Sequence, residues 1–390
     1  MTRFVLSTVL AAALAGPAAA DFNATPPNAP DQQPAFAGQT RAPVLPDDIA
    51  LATTTVADGL EHPWGMAELP DGGWLVTERP GRLRMVSADG RVGPEIAGLP
   101  PIDARGQGGL LDVLVAPDFA DRRVWISYAA PAEGGRNATA VATGTLSADG
   151  STLENVTEIF RQTPPWASDK HFGSRLVLDG QGGLFVTLGE RSDPAPRATA
   201  QDDDNHIGKL VRIDPLGGAA GARVDGWLPE TFAKGFRNVQ AAALDGQGRL
   251  WTVEHGPKGG DELNRPQAGK NYGWPIITYG LDYSGKPIGE GITAQQGLEQ
   301  PVYYWDPVIA ASGLAFYDGA MFPEWQGNAL IGGLVGRALV RLTLDGDRVT
   351  GEARHLQGIG RVRDVEVARD GSVMLLTDAR NGALVRVTRD

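Results

Sequence analysis

Short runs of branched and aromatic residues recur along most of this chain, each entered from an Asp-Gly or Pro-Asp turn. Asp71-Gly72 precedes WLVTE (74–78), Pro117-Asp118 precedes VWISYA (124–129), and Asp179-Gly180 precedes LFVTLGE (184–190). Asp245-Gly246 precedes LWTVEHG (250–256), Asp370-Gly371 precedes VMLLTDA (373–379), and Gly327-Asn328 before ALIGGL (329–334) is a degenerate copy. A second strand of shared character follows several of these: GRLRMV (81–86), GKLVRI (208–213), RALVRL (337–342) and GALVRV (382–387). Turn–strand–turn–strand repeats at intervals of about 40–80 residues predict an all-β fold, a six-bladed β-propeller with four-stranded antiparallel blades packed face to face. Radial closure leaves only short, protected sheet edges. The strand at Thr53 to Val56 is placed to complete the last blade beside the C-terminal strands. Spacing is widest between the copies at 245 and 328, so long inserted loops are expected there, on the face that builds the site.

Composition agrees with this picture and sharpens its ends. With 52 Gly and 28 Pro in 390 residues, turn-formers are too frequent for long helices. Residues 1–20 carry Arg3, an apolar run from Phe4 to Leu14 and the small-residue end Ala18-Ala19-Ala20. That is the pattern of a secretory signal peptide cut after about Ala20. No later stretch is long and apolar enough for a membrane helix. Residues 21–48, rich in Pro and Ala, read as an extended, mostly disordered tether, which leaves 49–390 as the propeller. The balance of 35 Lys+Arg against 47 Asp+Glu, formally −12, argues against nucleic acid as a partner. The absence of cysteine excludes disulfides and thiolate metal sites.

Several polar constellations interrupt the strands. The stretch from Trp251 to Trp274 opens as a strand, breaks at Gly256-Pro257 and Gly259-Gly260, presents Asp261-Glu262, and closes on a Gly- and aromatic-rich turn. It reads as no core segment. Two adjacent carboxylates with bare carbonyls nearby suit a hard cation such as calcium, the plainer alternative being a solvated acidic turn. His171, in SDKHFGSRLVLDG, stands in a polar turn entering a strand, where an imidazole serves as a general base or makes one structural hydrogen bond. Arg237-Asn238 in GFRNVQ offers a planar fork and an amide. In GRVRD, alternation puts Arg361 and Arg363 on one strand face, which is costly near a closed centre unless an anion lies between them; a solvated sheet edge is the alternative. GQGGLLDV presents Gln107 ahead of an apolar strand.

Taken together, GQGGLLDVLVAPDF, HFGSRLVLDG, GFRNVQ, EHGPKGGDELN, GKNYGW and GRVRD stand in the order and rough spacing of the soluble, pyrroloquinoline-quinone (PQQ)-dependent sugar dehydrogenases, and the chain resembles most the periplasmic aldose sugar dehydrogenases of bacteria. The resemblance spans nearly all of residues 51–390. It implies a six-bladed propeller with the quinone on its top face. His171 would take the proton from the anomeric hydroxyl as hydride passes to the quinone, and Gln107, Arg237, Asn238, Arg361 and Arg363 would contact the cofactor. It further implies that carbonyls of Gly256 and Pro257 hold a calcium ion (Ca2+) against the cofactor. Glu262, by carboxylate, and Tyr272, by backbone oxygen, would bind a structural calcium, and Tyr283 would pack on the cofactor. Aldose sugars are the implied substrates, an external electron acceptor the partner, the periplasm the location and a monomer the expected state. Two departures stand out. Val335 occupies the place of a cofactor-contacting lysine, with Arg337 two residues on, and Lys170 stands where some relatives put an aspartate that orients the base, Asp169 being two back.

Two other readings compete. A calcium-dependent lactonase or esterase on the same fold would gather Glu, Asn and Asp around one ion to activate water, but would leave the three arginines without a role. A non-catalytic binding propeller is allowed because fold does not fix function.

Overall fold

The computed structural model describes residues 21–46 and 49–390; the expected signal peptide lies outside the described residues. Among them are six four-stranded antiparallel sheets. Strand β1 (Leu51–Leu60) is set apart in sequence from the sheet it joins. Blade 1 is β2 (Pro63–Glu68), β3 (Trp74–Glu78), β4 (Arg82–Val86) and β5 (Val92–Glu95); blade 2 is β6 (Leu110–Val115), β7 (Arg123–Pro131), β8 (Asn137–Leu146) and β9 (Leu153–Arg161). Blade 3 is β10 (Gly173–Leu178), β11 (Leu184–Leu188), β12 (Lys209–Ile213) and β13 (Thr231–Lys234); blade 4 is β14 (Val239–Leu244), β15 (Leu250–Glu254), β16 (Asp261–Asn264) and β17 (Tyr303–Trp305). Blade 5 is β18 (Ala311–Phe316), β19 (Ala329–Gly333), β20 (Ala338–Asp345) and β21 (Arg348–His355), and blade 6 is β22 (Val362–Val367), β23 (Val373–Thr377) and β24 (Gly382–Arg389). β1 closes the ring as the outer strand of blade 6, with Thr53 opposite Val387, as expected for the strand near Thr53.

Every expected turn sits between the first and second strands of a blade, all on one face. Asp71, Asp179, Asp245 and Asp370 each accept the amide of the residue two ahead, a local bond that makes Asp a turn residue. The core lies between the blades. Six apolar clusters each join residues of two neighbouring blades, so each blade buries both faces.

The inner strands share a feature that positions chemistry. Near the start of all six, the register against the second strand shifts, between Pro63 and Met66, Leu110 and Val113, Gly173 and Leu176, Val239 and Ala241, Ala311 and Leu314, and Val362 and Asp364. A bulge frees a residue from the ladder and re-aims its side chain. Asp112, Arg175, Gln240 and Arg363 fall in these breaks and gather around the axis.

Two expectations need correction. Asp261-Glu262 does not form a solvated turn: both belong to β16, and Asp261 is only 1% exposed. Its carboxylate accepts the amides of Gly256, Ile309 and Ala310. Residues 21–46, read as a mostly disordered tether, lie against blades 4 and 5, with Gln39 fully buried and Leu45 N donating to Glu352 O at 2.8 Å. Composition hides this because the partners are far off in sequence. The long insertion expected between the repeats at 245 and 328 is the excursion 265–302, between β16 and β17.

Candidate active site

On the face opposite the Asp turns, the entries to the inner strands and the ends of the second strands surround a cavity of ≈ 210 Å³ to which all six blades contribute. Gln107, Asn238, Arg361 and Arg363 line it, as expected, together with Trp64, Arg79, Gln240, His255 and Asp378, which sequence reasoning did not single out.

His171 is 6% exposed and sits one residue before Phe172 on the cavity wall. Its backbone, at φ 49°, lies in the left-handed region that costs a non-glycine residue energy unless its surroundings hold it. Arg191 supplies that hold, binding the carbonyls of Ser168, Lys170 and Asn137 while stacking on Phe172 at 4.1 Å. The His171 amide donates to Gln107 Oε1 at 2.9 Å. The ring's orienting group is neither Asp169 nor Lys170: His171 Nδ1 lies 2.7 Å from Glu190 Oε1, a carboxylate with no exposed surface. Burial, then the nearby Arg237, Arg197, Arg191 and Lys170 charges, hold the imidazole well below its usual value. Burial likewise pushes Glu190 up to about 7, against the pull of Arg237 and Arg197. At and above that pH the pair is a neutral ring donating from Nδ1 to a carboxylate, which leaves Nε2 as the proton acceptor. The loop carrying Glu190 is tied by Lys209, a buried lysine pushed down to about 7 by burial, whose Nζ donates to the carbonyls of Ala200 and Ile207.

The cations converge from blades 4 and 6. Arg363 donates to Gln240 Oε1 at 2.9 Å, and burial pushes it down to about 10 while Asp378 opposes the shift. The anion that two close guanidiniums call for is partly built in, since Asp378 Oδ2 lies 3.4 Å from Arg361 Nη2 and 3.6 Å from Arg363 Nη2. These contacts are loose; the other Asp378 oxygen is held more tightly by His62 Nδ1 at 2.8 Å. Arg237, 4% exposed, donates to His255 O at 2.8 Å and keeps a buried Nε without a hydrogen-bond partner. His255 Nε2 is buried and unpartnered in the same way. Unsatisfied buried polar atoms of this kind, a guanidinium donor and a ring nitrogen, are what a ligand's polar atoms would complete. Tyr283 does not line the cavity: it is 74% exposed and reaches Arg237 Nη2 at 3.5 Å. Val335 is 58% exposed and Leu334, not Arg337, lines the wall.

Gly256, Pro257, Glu262 and Tyr272 come together around a second, much smaller space of ≈ 10 Å³, with His255 on the wall shared with the first. That is room for one water or ion. Burial pushes Glu254 up to about 7 and Glu262 well above the carboxylate range; Glu254 raises Glu262 further, and the opposing influence on Glu262 is the Asn264 amide rather than a cation. Asn264 Nδ2 is shared between the two at 3.2 Å each, while Asn264 Oδ1 has no partner. Among the described residues no three His, Asp or Glu side chains form a metal cluster, so the donors are two carboxylates, an amide oxygen and backbone carbonyls. Arg237 also lines this space and draws Glu254 down against burial, so the carboxylate left without a nearby cation is Glu262; an all-oxygen donor set around it fits a hard divalent cation.

Comparison with known proteins agrees with this fold. A family model described as glucose/sorbosone dehydrogenase matches residues 60–386. An aldose sugar dehydrogenase of Escherichia coli is 44% identical over 347 residues, 85% of this chain and 91% of that one. The structure of the soluble aldose sugar dehydrogenase of Escherichia coli in its apo form superposes with a TM-score of 0.83 at 42% identity, over 87% of this chain and 100% of that one. The PQQ-bound aldose sugar dehydrogenase of Streptomyces coelicolor superposes at 0.71 with 28% identity, over 88% of this chain and 99% of that one. With a propeller closed by β1, a cavity ringed by arginines and a matching model over most of its length, the chain belongs to the glucose/sorbosone dehydrogenase family.

Proposed function

We propose that this protein is a PQQ-dependent aldose dehydrogenase that oxidises the anomeric hydroxyl of aldoses to the lactone and passes the electrons to an external acceptor. The observation that carries this reading is a cavity lined by Arg361 and Arg363, with Arg237 on the wall of the smaller space beside it and its buried Nε left without a partner, on the same face as His171 and Glu190. When bound, the quinone supplies the two-electron acceptor that the side chains lack, and calcium supplies positive charge beside it.

The chain's own residues do the rest. Arg361 and Arg363 hold carboxylates of the cofactor by charge-assisted bonds, Arg237 and Asn238 approach from blade 4, and Gln107 joins them while fixing the His171 backbone. The Gly256 and Pro257 carbonyls and the Glu262 carboxylate hold calcium, with Glu254 as a further candidate. His171 Nε2 takes the anomeric hydroxyl proton, and Glu190 keeps the ring in the tautomer that can do so. The lactonase reading leaves these arginines without a role. The signal-like residues 1–20 support export, and the periplasm is the location proposed.

The cofactor assignment is tested by titrating purified protein with PQQ and following tryptophan fluorescence, with and without calcium. Saturable binding is expected, weakened at least about tenfold in Arg363→Gln, because one charge-assisted contact to a buried anion contributes about 1.5–3 kcal/mol. Equal binding by both proteins would contradict the placement. Calcium is expected to raise the thermal midpoint more at pH 8 than at pH 5, because protons compete for Glu254 and Glu262 at the lower pH.

A further inference from the structure

Segment 21–46 grips the two residues that stand directly behind the glycine turn of the cation site. The turn runs from Gly256 to Gly260, with Gly259 at φ 91° and Gly260 at φ 71°, a conformation that favours glycine. It also leaves no room: a Cβ on Gly259 would come within 3.1 Å of Asp306 Oδ1, and one on Gly260 within 2.7 Å of the Tyr279 carbonyl carbon. The next residues of the excursion clamp the turn from the same side. Lys258 and Leu281 exchange both backbone hydrogen bonds at 2.9 Å, and a Cβ on Gly280 would lie 2.3 Å from Gly259 O. Tyr279 and Asp306 are therefore the back wall of the turn.

The N-terminal segment binds both. Gln39, fully buried, shares the Tyr279 hydroxyl, on Oε1 at 3.0 Å, with Gln300 Oε1 at 2.5 Å, and donates from Nε2 to Pro301 O at 3.0 Å, while its carbonyl accepts the Tyr304 amide at 2.9 Å. Tyr279 is stacked on Tyr304 with centroids 3.9 Å apart. The Asp306 carboxylate accepts the amides of Asn28 at 2.6 Å and Ala29 at 2.9 Å. Arg41 ties the segment to itself and to blade 4, donating to Thr25 O and Asp306 O at 2.9 Å each.

We propose that segment 21–46 is a positioning element of the functional site: by holding Tyr279 and Asp306 it fixes turn 256–260, and with it the direction of the Gly256 and Pro257 carbonyls. The consequence for cation binding rests on the reading of those carbonyls given above; the mechanical coupling does not. No residue of the segment touches the cavity itself. Its effect reaches the site through Tyr279 and Asp306.

Hydrogen–deuterium exchange on the full secreted chain tests this, comparing wild type with Gln39→Ala. Losing the Gln39 side-chain bonds around Tyr279 is expected to speed amide exchange in 256–262 and 279–283 about tenfold or more, by making local opening easier. The Arg41 and Asp306 anchors remain, so exchange in blade 2 should not change. Calcium added to quinone-free Gln39→Ala is expected to bind about tenfold more weakly, with the thermal midpoint in chelator near that of wild type. Unchanged exchange at 256–262 overturns the proposal, and so does a uniform increase over all blades, which would mark a general loss of stability. If wild type itself binds no calcium, the cation reading fails, while the exchange comparison still decides the role of the segment. Tyr279→Phe, which keeps the stack and removes only the hydroxyl, should reproduce a smaller form of the same local change.

Discussion

Replacing His171 with alanine is expected to lower turnover with aldoses by about a hundredfold to ten-thousandfold while leaving the PQQ dissociation constant within about threefold of wild type. The split follows from geometry. His171, one residue before the wall residue Phe172, engages Glu190 through its ring and leaves Nε2 as acceptor, whereas the charges proposed to hold the cofactor are those of Arg361, Arg363 and Arg237. Glu190→Gln should give a smaller loss, because an amide can accept from Nδ1 but cannot stabilise the ring once it is protonated. In wild type, turnover should rise with pH through about 7, the value to which burial pushes Glu190. Below it the pair gains a proton and the carboxylate no longer supports a positive ring. In Glu190→Gln that limb should be lost. Unchanged turnover in His171→Ala would place the base elsewhere.

The largest effect on folding is expected at Arg175. Its guanidinium sits at the axis beneath the cavity, bonded to Asp112 Oδ1 in blade 2 and Asp364 Oδ1 in blade 6 at 2.9 Å each, and near Gln240 O in blade 4 at 3.4 Å. The Trp64 ring of blade 1 lies 4.7 Å from it. One cation from blade 3 thus joins four other blades. Burial works against its charge, yet Asp112 and Asp364 hold it above its ordinary value. Arg175→Ala leaves those two carboxylates buried without their counter-ion, at a cost of about 3–5 kcal/mol, measurable as a lower urea midpoint. The sign of the pH dependence is opposite to that of an exposed salt bridge. Burial pushes Asp112 up to about 7 from its ordinary 3.8, so between those values the folded state binds more protons than the unfolded one. Stability from this group is present at low pH and lost as pH rises through about 7. Without Arg175 the dependence should steepen, so the variant's deficit should be smaller at pH 5 than at pH 8. A pH-independent deficit would mean that packing on Trp64, not charge, is what Arg175 contributes.

The blades were legible because turn chemistry and strand character repeat locally: the Asp turns at 71, 179, 245 and 370 each bond their own backbone, so no distant contact is needed to see them. The site was legible where a polar residue stands out against an apolar strand, as with His171, Gln107, Arg361 and Arg363. Apart from Glu262, its carboxylates were not, although the same repeat carries them. Glu78, Glu190, Glu254 and Asp378 all stand at or just past the end of a second strand, in WLVTE, LFVTLGE, LWTVEHG and VMLLTDA. Each reaches a cation, an imidazole or backbone amides on the site face. Comparing copies by their last residue rather than by their apolar run would have found them. The six bulges were hidden because register is a property of two strands together, and Asp112 and Arg175 read as ordinary strand residues until the ladder is seen to break there. Segment 21–46 was misread for a related reason. Its Pro and Ala content describes a chain that cannot build its own core, but its amides and Gln39 are met by Asp306, Tyr279 and Pro301.

The central claim is that the arginine-lined cavity and its neighbouring oxygen site make a quinone- and calcium-dependent sugar dehydrogenase of this propeller. Dye-linked oxidation of a panel of aldoses by purified, metal-stripped protein tests it most directly, with PQQ and calcium added singly and together. Turnover only when both are present, with lactone as product, is the predicted result. Turnover without the quinone, or none with both present although the quinone binds and the whole panel has been offered, would contradict it.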